Sequence, residues 1–166
     1  MSQLKDLVEF ISNADELPDE DLENLADEMS EMLKAKSEAA WLANNLESLD
    51  DITIYVLQMA AQVNHLPEKV NDRARELAKT LKPGFRAYNY ALVLAFQDDE
   101  FGLQTIENYL FDEKEPVLVM PQADALFEIH TDRARALLER YLKEGKSEEG
   151  LEHVKYVLGL WNTLEN

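Results

Sequence analysis

The sequence has no cysteine and few residues that interrupt helices. Without cysteine, disulfides, thiolate metal ligands and a cysteine nucleophile are excluded. Glycine and proline occur five times each in 166 residues, which is typical of a folded, helix-rich protein. No apolar run approaches the roughly 18 residues that span a bilayer. The opening residues, MSQLKDLVEF, lack the basic head and apolar core of a signal peptide. These absences predict a helical, cytoplasmic protein.

Basic residues are also scarce. The chain carries 34 Asp and Glu against 16 Lys and Arg, a net charge of −18, and residues 1–55 hold 15 acids but only 3 bases. A negative field repels nucleic acid and anionic lipid and speeds the encounter with cationic partners. The charge therefore predicts a basic protein as partner, with no nucleic acid and no membrane. The alternative is that the acidity serves only solubility.

A period of roughly 33 residues runs through the chain, as in helical-repeat proteins. Windows that begin at Pro18, Asp51, Gly84, Val117 and Gly150 align, with apolar residues three and four positions apart; the last window gives Leu151, Val154, Leu158 and Trp161. Such spacing places one apolar stripe on a helix. Further helices are predicted between these windows, over residues 2–13, 37–49, 68–81, 100–111 and 132–144. The residue types indicate N-caps at Ser37, Asp99 and Thr131, a helix start at Pro67 and a helix end at Gly145.

One short motif occurs twice, in NDRARELAKTL from Asn71 and TDRARALLERYL from Thr131. Ala74 and Ala134 fall on the apolar stripes, while the flanking arginines fall on the polar sides, where they can pair with nearby acids. The intervening unit, DDEFGLQTIENYL, keeps the apolar pattern but has no arginine. The motif therefore indicates a packing repeat rather than a duplicated chemical site.

Five helical hairpins of this length predict an all-α fold, a right-handed α-α superhelix forming one domain over residues 1–166. The acidic hairpin over about residues 1–36 would be its polar cap. Residues 92–161, which end in VKYVLGLW, resemble short HEAT repeats, with an Ala-Leu-rich helix, a polar turn containing Asp and a helix closing on Leu-Gly. Pro121 departs from that pattern, so its helix either begins near Pro121 or is kinked. The segment EPVLVMPQ is then an irregular entry to the helix or an exposed binding element.

Motifs for chemistry are absent from the sequence. Glu149 and His153 have the i, i+4 spacing of metal ligands, but no second pair accompanies them. No phosphate loop, dinucleotide fingerprint or nucleophile elbow occurs. We therefore expect no catalytic, cofactor or metal site, and a protein that is not an enzyme. HEAT-like relatives include DNA glycosylases, but these need a basic groove, which the net charge opposes.

The resemblance implies a solenoid that binds partners through the inner helices of its hairpins. The positions opposite the apolar stripes form a ladder, and acids or other polar residues lie beside it. The predicted partner-binding residues are Glu20, Asp21, Asn24, Leu57, Arg86, Tyr90, Asp124, Glu128, Glu152 and Tyr156. Tyrosine is a common interface anchor, and rim acids steer basic partners. The competing interpretation is that Leu57 is buried, because ITIYVLQMAAQV is apolar almost all round, and that the acids from Asp15 to Glu31 belong to a solvated cap.

These features predict a non-enzymatic, acidic protein-binding module. Its most concrete form is an immunity or inhibitor protein that neutralises a basic toxin, such as a nuclease, by covering the nucleic-acid surface of the toxin. The alternative is a general scaffold or adaptor of the HEAT-repeat type.

Overall fold

The computed structural model describes residues 2–111 and 119–165, and every regular element in that part of the chain is a helix. The all-α class is therefore confirmed. A short 3-10 helix spans Leu46–Ser48. None of the described helices has both the length and the apolar character needed to cross a membrane. The α-helices are α1 (Gln3–Asn13), α2 (Asp19–Met32), α3 (Lys36–Asn45), α4 (Asp51–Val63), α5 (Glu68–Thr80), α6 (Phe85–Ala95), α7 (Glu100–Leu110), α8 (Val119–Ile129), α9 (Asp132–Glu144) and α10 (Glu148–Glu165).

Most of the predicted helix ends are confirmed. The Thr131 hydroxyl accepts the N–H of Ala134 at the start of α9, and the Asp99 carboxylate accepts the N–H of Gly102 at the start of α7. Both bonds satisfy N–H groups that have no partner within their own helix. Pro67 precedes α5, and Gly145 ends α9 by donating its N–H to the carbonyl of Tyr141.

The predicted cap at Ser37 is wrong. Helix α3 begins one residue earlier, at Lys36, and Ala35 occupies the cap position without a side-chain hydrogen bond. Glu38 lies on the buried side of α3, where its carboxylate accepts the N–H of Gln3 in α1. Ser37 is therefore a residue of the first turn of α3 and does not cap it.

Pro121 lies in the first turn of α8, so the expectation that this helix begins near Pro121 is confirmed. In the first turn the missing N–H of proline costs no helical hydrogen bond, and its fixed φ suits the helix. The segment EPVLVMPQ falls partly outside the described residues.

The chain divides into two compact units, Met1–Gly102 and Leu103–Asn166. In the first unit, α1, α3 and α5 pack in sequence, and α2, α4 and α6 do the same. Contacts of α1 with α2 and of α5 with α6 join these two rows. The core between them includes Leu4, Ile11, Met29, Leu42, Ile54, Leu57, Val70, Ala74 and Tyr90.

Hydrogen bonds in the first unit join residues about one repeat apart. The Gln58 amide donates to the Asn89 carbonyl across 31 residues, and Asn64 donates to the Ser30 hydroxyl across 34. The Gln97 side chain accepts the N–H of Leu66, again across 31 residues. The packing of this unit is therefore repeat-like, with hydrogen bonds across about one repeat that link α2, α4 and α6 or the residues at their ends.

The second unit is built on α8, α9 and α10, each of which packs on the other two. Its core contains Val119, Ala123, Leu126, Ala134, Leu138, Tyr141, Val154 and Trp161. The His130 ring stacks on Trp161 with ring centroids 4.3 Å apart, and Phe127 packs against Trp161 edge to face. Burial of Trp161, the largest core side chain of this unit, fixes which face of α10 points inward.

Candidate functional site

The structure divides the ten predicted partner-binding residues by exposure. Leu57 and Tyr90 are fully buried. The other eight are exposed, namely Glu20, Asp21, Asn24, Arg86, Asp124, Glu128, Glu152 and Tyr156.

Leu57 and Tyr90 were expected on a continuous exposed ladder, and that placement is wrong. Helix α4 is covered by α1, α2 and α6, so Leu57 has core neighbours on a side that the ladder needs open. The Tyr90 hydroxyl donates to the Leu46 carbonyl at 2.7 Å, and burial raises the pKa of this phenol. Both residues therefore stabilise the core of the first unit, and in this conformation neither reaches a partner.

Arg86, although exposed, is held by its own unit. Its guanidinium donates to the carbonyl of Glu47, in the middle of the 3-10 helix. The carboxylate of Glu47 also forms an ion pair with Arg73 at 3.0 Å. Arg86 therefore ties the start of α6 to the 3-10 helix.

Glu20, Asp21 and Asn24 lie on α2, which carries the strongest concentration of charge in the described chain. Seven carboxylates of this helix are exposed, here termed the α2 acidic face, consisting of Asp19, Glu20, Asp21, Glu23, Asp27, Glu28 and Glu31. Only Glu31 forms an ion pair, with Lys34 at 2.6 Å; across residues 2–111 and 119–165 the other six have none. Three of them occupy the first turn, where the helix dipole favours negative charge.

Three of the four arginines of the repeated motif, by contrast, form ion pairs within their own units. Arg73 contacts Glu47 and Glu76, and Arg75 contacts Asp72 and Asp99, each at about 3 Å. In the second unit, Arg135 lies 3.0 Å from Glu139 and 2.5 Å from Glu165. These contacts agree with the interpretation of Asp-Arg-Ala-Arg as a packing element.

The second unit brings together four of the predicted residues on α8 and α10. The Asp124 carboxylate of α8 lies within hydrogen-bond distance of His153 Nε2 of α10, at 2.7 Å, and the His153 ring lies 6.2 Å from that of Tyr156. Glu128 lies one turn beyond Asp124 on α8, and Glu152 immediately precedes His153 on α10. From the sequence, His153 was considered only for its spacing from Glu149 and was not placed beside Asp124. The signal that could have found its partner is the separation of 29 residues, which is close to the repeat length.

The Asp124–His153 pair does not extend into a metal site. Within the described part of the chain, no three His, Asp or Glu side chains gather to hold an ion. The local pairing of Glu149 with His153, considered from their spacing, is replaced by the contact between His153 and Asp124. The arrangement therefore positions an imidazole beside an exposed tyrosine on an acidic surface.

No protein-family model, no curated protein sequence and no solved structure matches this chain. The likeness to HEAT repeats thus rests on the residues quoted above alone.

Proposed function

We propose that this protein is a non-enzymatic binding module for a basic protein, acting in the cytoplasm as an immunity or inhibitor protein for a cationic toxin such as a nuclease. The observation that carries the proposal is the α2 acidic face, where six exposed carboxylates have no ion pair in the described chain. Most arginines are paired with acids outside α2, so they do not offset the negative charge that α2 exposes.

The physical basis is competition with phosphate. A nuclease binds nucleic acid largely through Lys and Arg contacts to the backbone. A helix with exposed carboxylates presents negative charge to those Lys and Arg side chains, as the phosphates of nucleic acid do. Long-range electrostatic attraction also speeds the encounter. The proposed inhibitor therefore covers the nucleic-acid surface of the toxin without chemistry of its own.

A general scaffold of the HEAT-repeat type is the second candidate, and one backbone feature favours it. Asp98 and His130 both have left-handed backbone angles, with φ of 59° and 55°, and each immediately precedes an N-cap, Asp99 or Thr131. Non-glycine residues adopt this conformation uncommonly. The shared turn supports a repetition of short hairpins, and the right-handed superhelix of such hairpins, with α1 and α2 as its acidic cap, is part of this second proposal.

The test is affinity capture of the tagged protein from its own cell extract at low and moderate salt, followed by purification and titration of each retained protein. We expect one basic protein at one-to-one stoichiometry, with an association rate that falls as salt rises. If it is a nuclease, its cleavage rate falls as the captured protein is added. Many weak partners of mixed charge would instead favour the scaffold.

Charge reversal supplies the matched control. We expect Glu20→Lys with Asp21→Lys to weaken the purified complex about tenfold or more, because rim charges on the contact face steer association. Asp6→Lys with Glu9→Lys makes the same change in net charge on α1 and is expected to have a smaller effect. Equal effects of the two double variants would show that only the total charge matters and would contradict a role for the α2 acidic face.

A further inference from the structure

Helix α10 presents a row of apolar side chains to solvent. Tyr156, Leu160 and Leu164 are 62%, 40% and 68% exposed and follow one another at intervals of four residues. In the described part of the chain no other helix exposes three large apolar side chains. At 1.5 Å per residue the row spans about 12 Å, or two helical turns. We call Tyr156, Gly159, Leu160 and Leu164 the α10 ridge.

A different face of α10 packs into the core, so the ridge residues are not needed for the core of the second unit. Val154, Val157, Leu158 and Trp161 are buried on that face. Gly159 lies beside Leu160, and a Cβ added there would meet no atom within 4 Å. The missing side chain leaves a shallow gap through which another backbone can approach α10.

The surroundings of the ridge define the charge of its occupant. Glu149 and Glu152 are exposed on α10, within two turns before Tyr156. Asp124 and Glu128 are exposed on α8, which packs along α10. Lys155, the one Lys or Arg of α10, lies about 100° round the helix from Tyr156. The ridge is therefore an apolar row bordered by acids. It complements a partner surface in which an apolar row is bordered by Lys and Arg.

We propose that the α10 ridge docks a basic amphipathic helix of a partner protein. A partner helix fits because apolar side chains at its positions i, i+4 and i+7 form a row about two turns long, which matches the length of the ridge. A second copy of this chain fits poorly, because two molecules of net charge −18 repel each other. This inference rests on the proposed function, since it names the part of the basic partner that is bound.

The direct test uses two labelled synthetic peptides of about 18 residues, long enough to form a helix on binding. Both contain only leucine and lysine in equal proportion; one has leucines at helical spacing and the other has them in an order that forms no apolar face. We expect fluorescence anisotropy at moderate salt to show at least about tenfold tighter binding of the amphipathic peptide. Equal affinities would mean attraction by net charge alone and would overturn the proposal.

Variants locate the binding. Tyr156→Ala with Leu160→Ala is expected to weaken the amphipathic peptide about tenfold or more, and Gly159→Lys to weaken it by filling the gap with a cation. Phe10→Ala with Phe85→Ala removes two aromatic side chains of similar exposure elsewhere and is expected to change the affinity less than about twofold. Equal losses in the two double variants, with unchanged melting temperatures, would overturn the assignment to α10.

Two further outcomes separate this inference from the proposed function. If the captured basic partner loses affinity on charge reversal in α2 but not in the ridge variant, the proposed function stands and the ridge assignment fails. If the amphipathic peptide binds the ridge but no basic protein is captured, the ridge assignment stands and the proposed function fails. A dimer in sedimentation that Tyr156→Ala abolishes would make a second copy the occupant and would also overturn the proposal.

Discussion

The carboxylate of Glu38 accepts the backbone N–H of Gln3 at 2.9 Å, although the two residues are 35 positions apart in the sequence. The other oxygen accepts the N–H of Leu4 and the hydroxyl of Ser2. The first N–H groups of a helix lack partners within the helix, and the helix dipole favours an anion there. Glu38, buried on α3, therefore fastens the start of α1 to the next helix of its row.

This contact predicts a pH-dependent contribution to stability. The hydrogen bond from Ser2 and those from Gln3 and Leu4 outweigh desolvation and hold the pKa of Glu38 below its ordinary value of 4.5. A carboxyl group with a lowered folded pKa stabilises the fold above its unfolded pKa, and this contribution is lost as pH falls through the folded pKa. We expect Glu38→Gln to cost about 1–3 kcal/mol at pH 7, and this cost to shrink below about pH 4.5.

Thermal unfolding of both proteins between pH 7 and pH 3 measures this difference. Glu28→Gln is the control, because Glu28 is exposed on α2 without an ion pair in the described chain; its effect should stay within about 0.5 kcal/mol. A cost of Glu38→Gln that is the same at every pH would contradict the assigned role of the carboxylate.

The ion pair between Arg75 and Asp99 predicts a small coupling energy. Their side chains are 27% and 26% exposed, with a closest N–O distance of 3.0 Å. Solvent and salt screen such a pair, so a double-mutant cycle should give no more than about 1 kcal/mol. Arg75→Ala and Asp99→Asn suit the cycle, since asparagine can still cap Gly102. Chemical denaturation at low and high salt measures the coupling, and a value of several kcal/mol would refute the structural interpretation of the motif as a modest packing element.

The same substitution at two glycines should have opposite effects. A Cβ on Gly102 would lie 2.5 Å from the Ala95 backbone nitrogen and 2.8 Å from the Ala91 carbonyl oxygen, so the backbone at Gly102 would have to move away from α6. We expect Gly102→Ala to lower the free energy of unfolding by about 1–3 kcal/mol. At Gly159 the added methyl group meets nothing within 4 Å, and alanine is the better helix former by about 1 kcal/mol.

Equilibrium unfolding in urea compares the two alanine variants directly. A destabilised Gly159→Ala protein would show that the ridge is not open in solution. A Gly102→Ala protein as stable as the parent would contradict the close approach of Gly102 to the backbone of α6.

Gln122 predicts a stabilising substitution. Its side chain is fully buried on α8, and neither amide atom has a hydrogen-bond partner in the described chain. Burying an unpaired amide costs roughly 1–3 kcal/mol, so Gln122→Leu should raise the melting temperature. Gln58 is the matched control, because it is also buried but donates to the Asn89 carbonyl at 3.1 Å. Gln58→Leu should lower the melting temperature, and calorimetry of both variants checks the signs. A lower melting temperature for Gln122→Leu would indicate a partner for that amide.

The helices themselves were predictable because their signals are local. Apolar residues three and four positions apart predicted each of the ten helices, and the buried positions of Ala74, Ala134, Val154 and Trp161 follow from that spacing. Thr131 and Asp99 acted as caps as expected, since a cap depends only on residues within one turn. The part of the candidate site on α2 was likewise evident from composition alone.

Exposure on the other helices was not predictable, because it depends on how many neighbours each helix has. Leu57 and Tyr90 occupy the same repeat position as the exposed Asn24 and Tyr156. Helix α4 has packed neighbours on several sides, whereas α10 leaves Tyr156, Leu160 and Leu164 uncovered. Sequence spacing identifies which residues share a face of a helix, but only packing determines which faces are covered.

The sequence alone therefore determined the helical elements, their period and the excess of negative charge, because each depends on residue type and on contacts within a turn or two. The tertiary structure decided which carboxylates stay unpaired, that Glu38 caps a helix 35 residues away, that Asp124 meets His153, and that an apolar row on α10 faces solvent. These properties arise from contacts between residues distant in the chain, and no local pattern specifies such contacts.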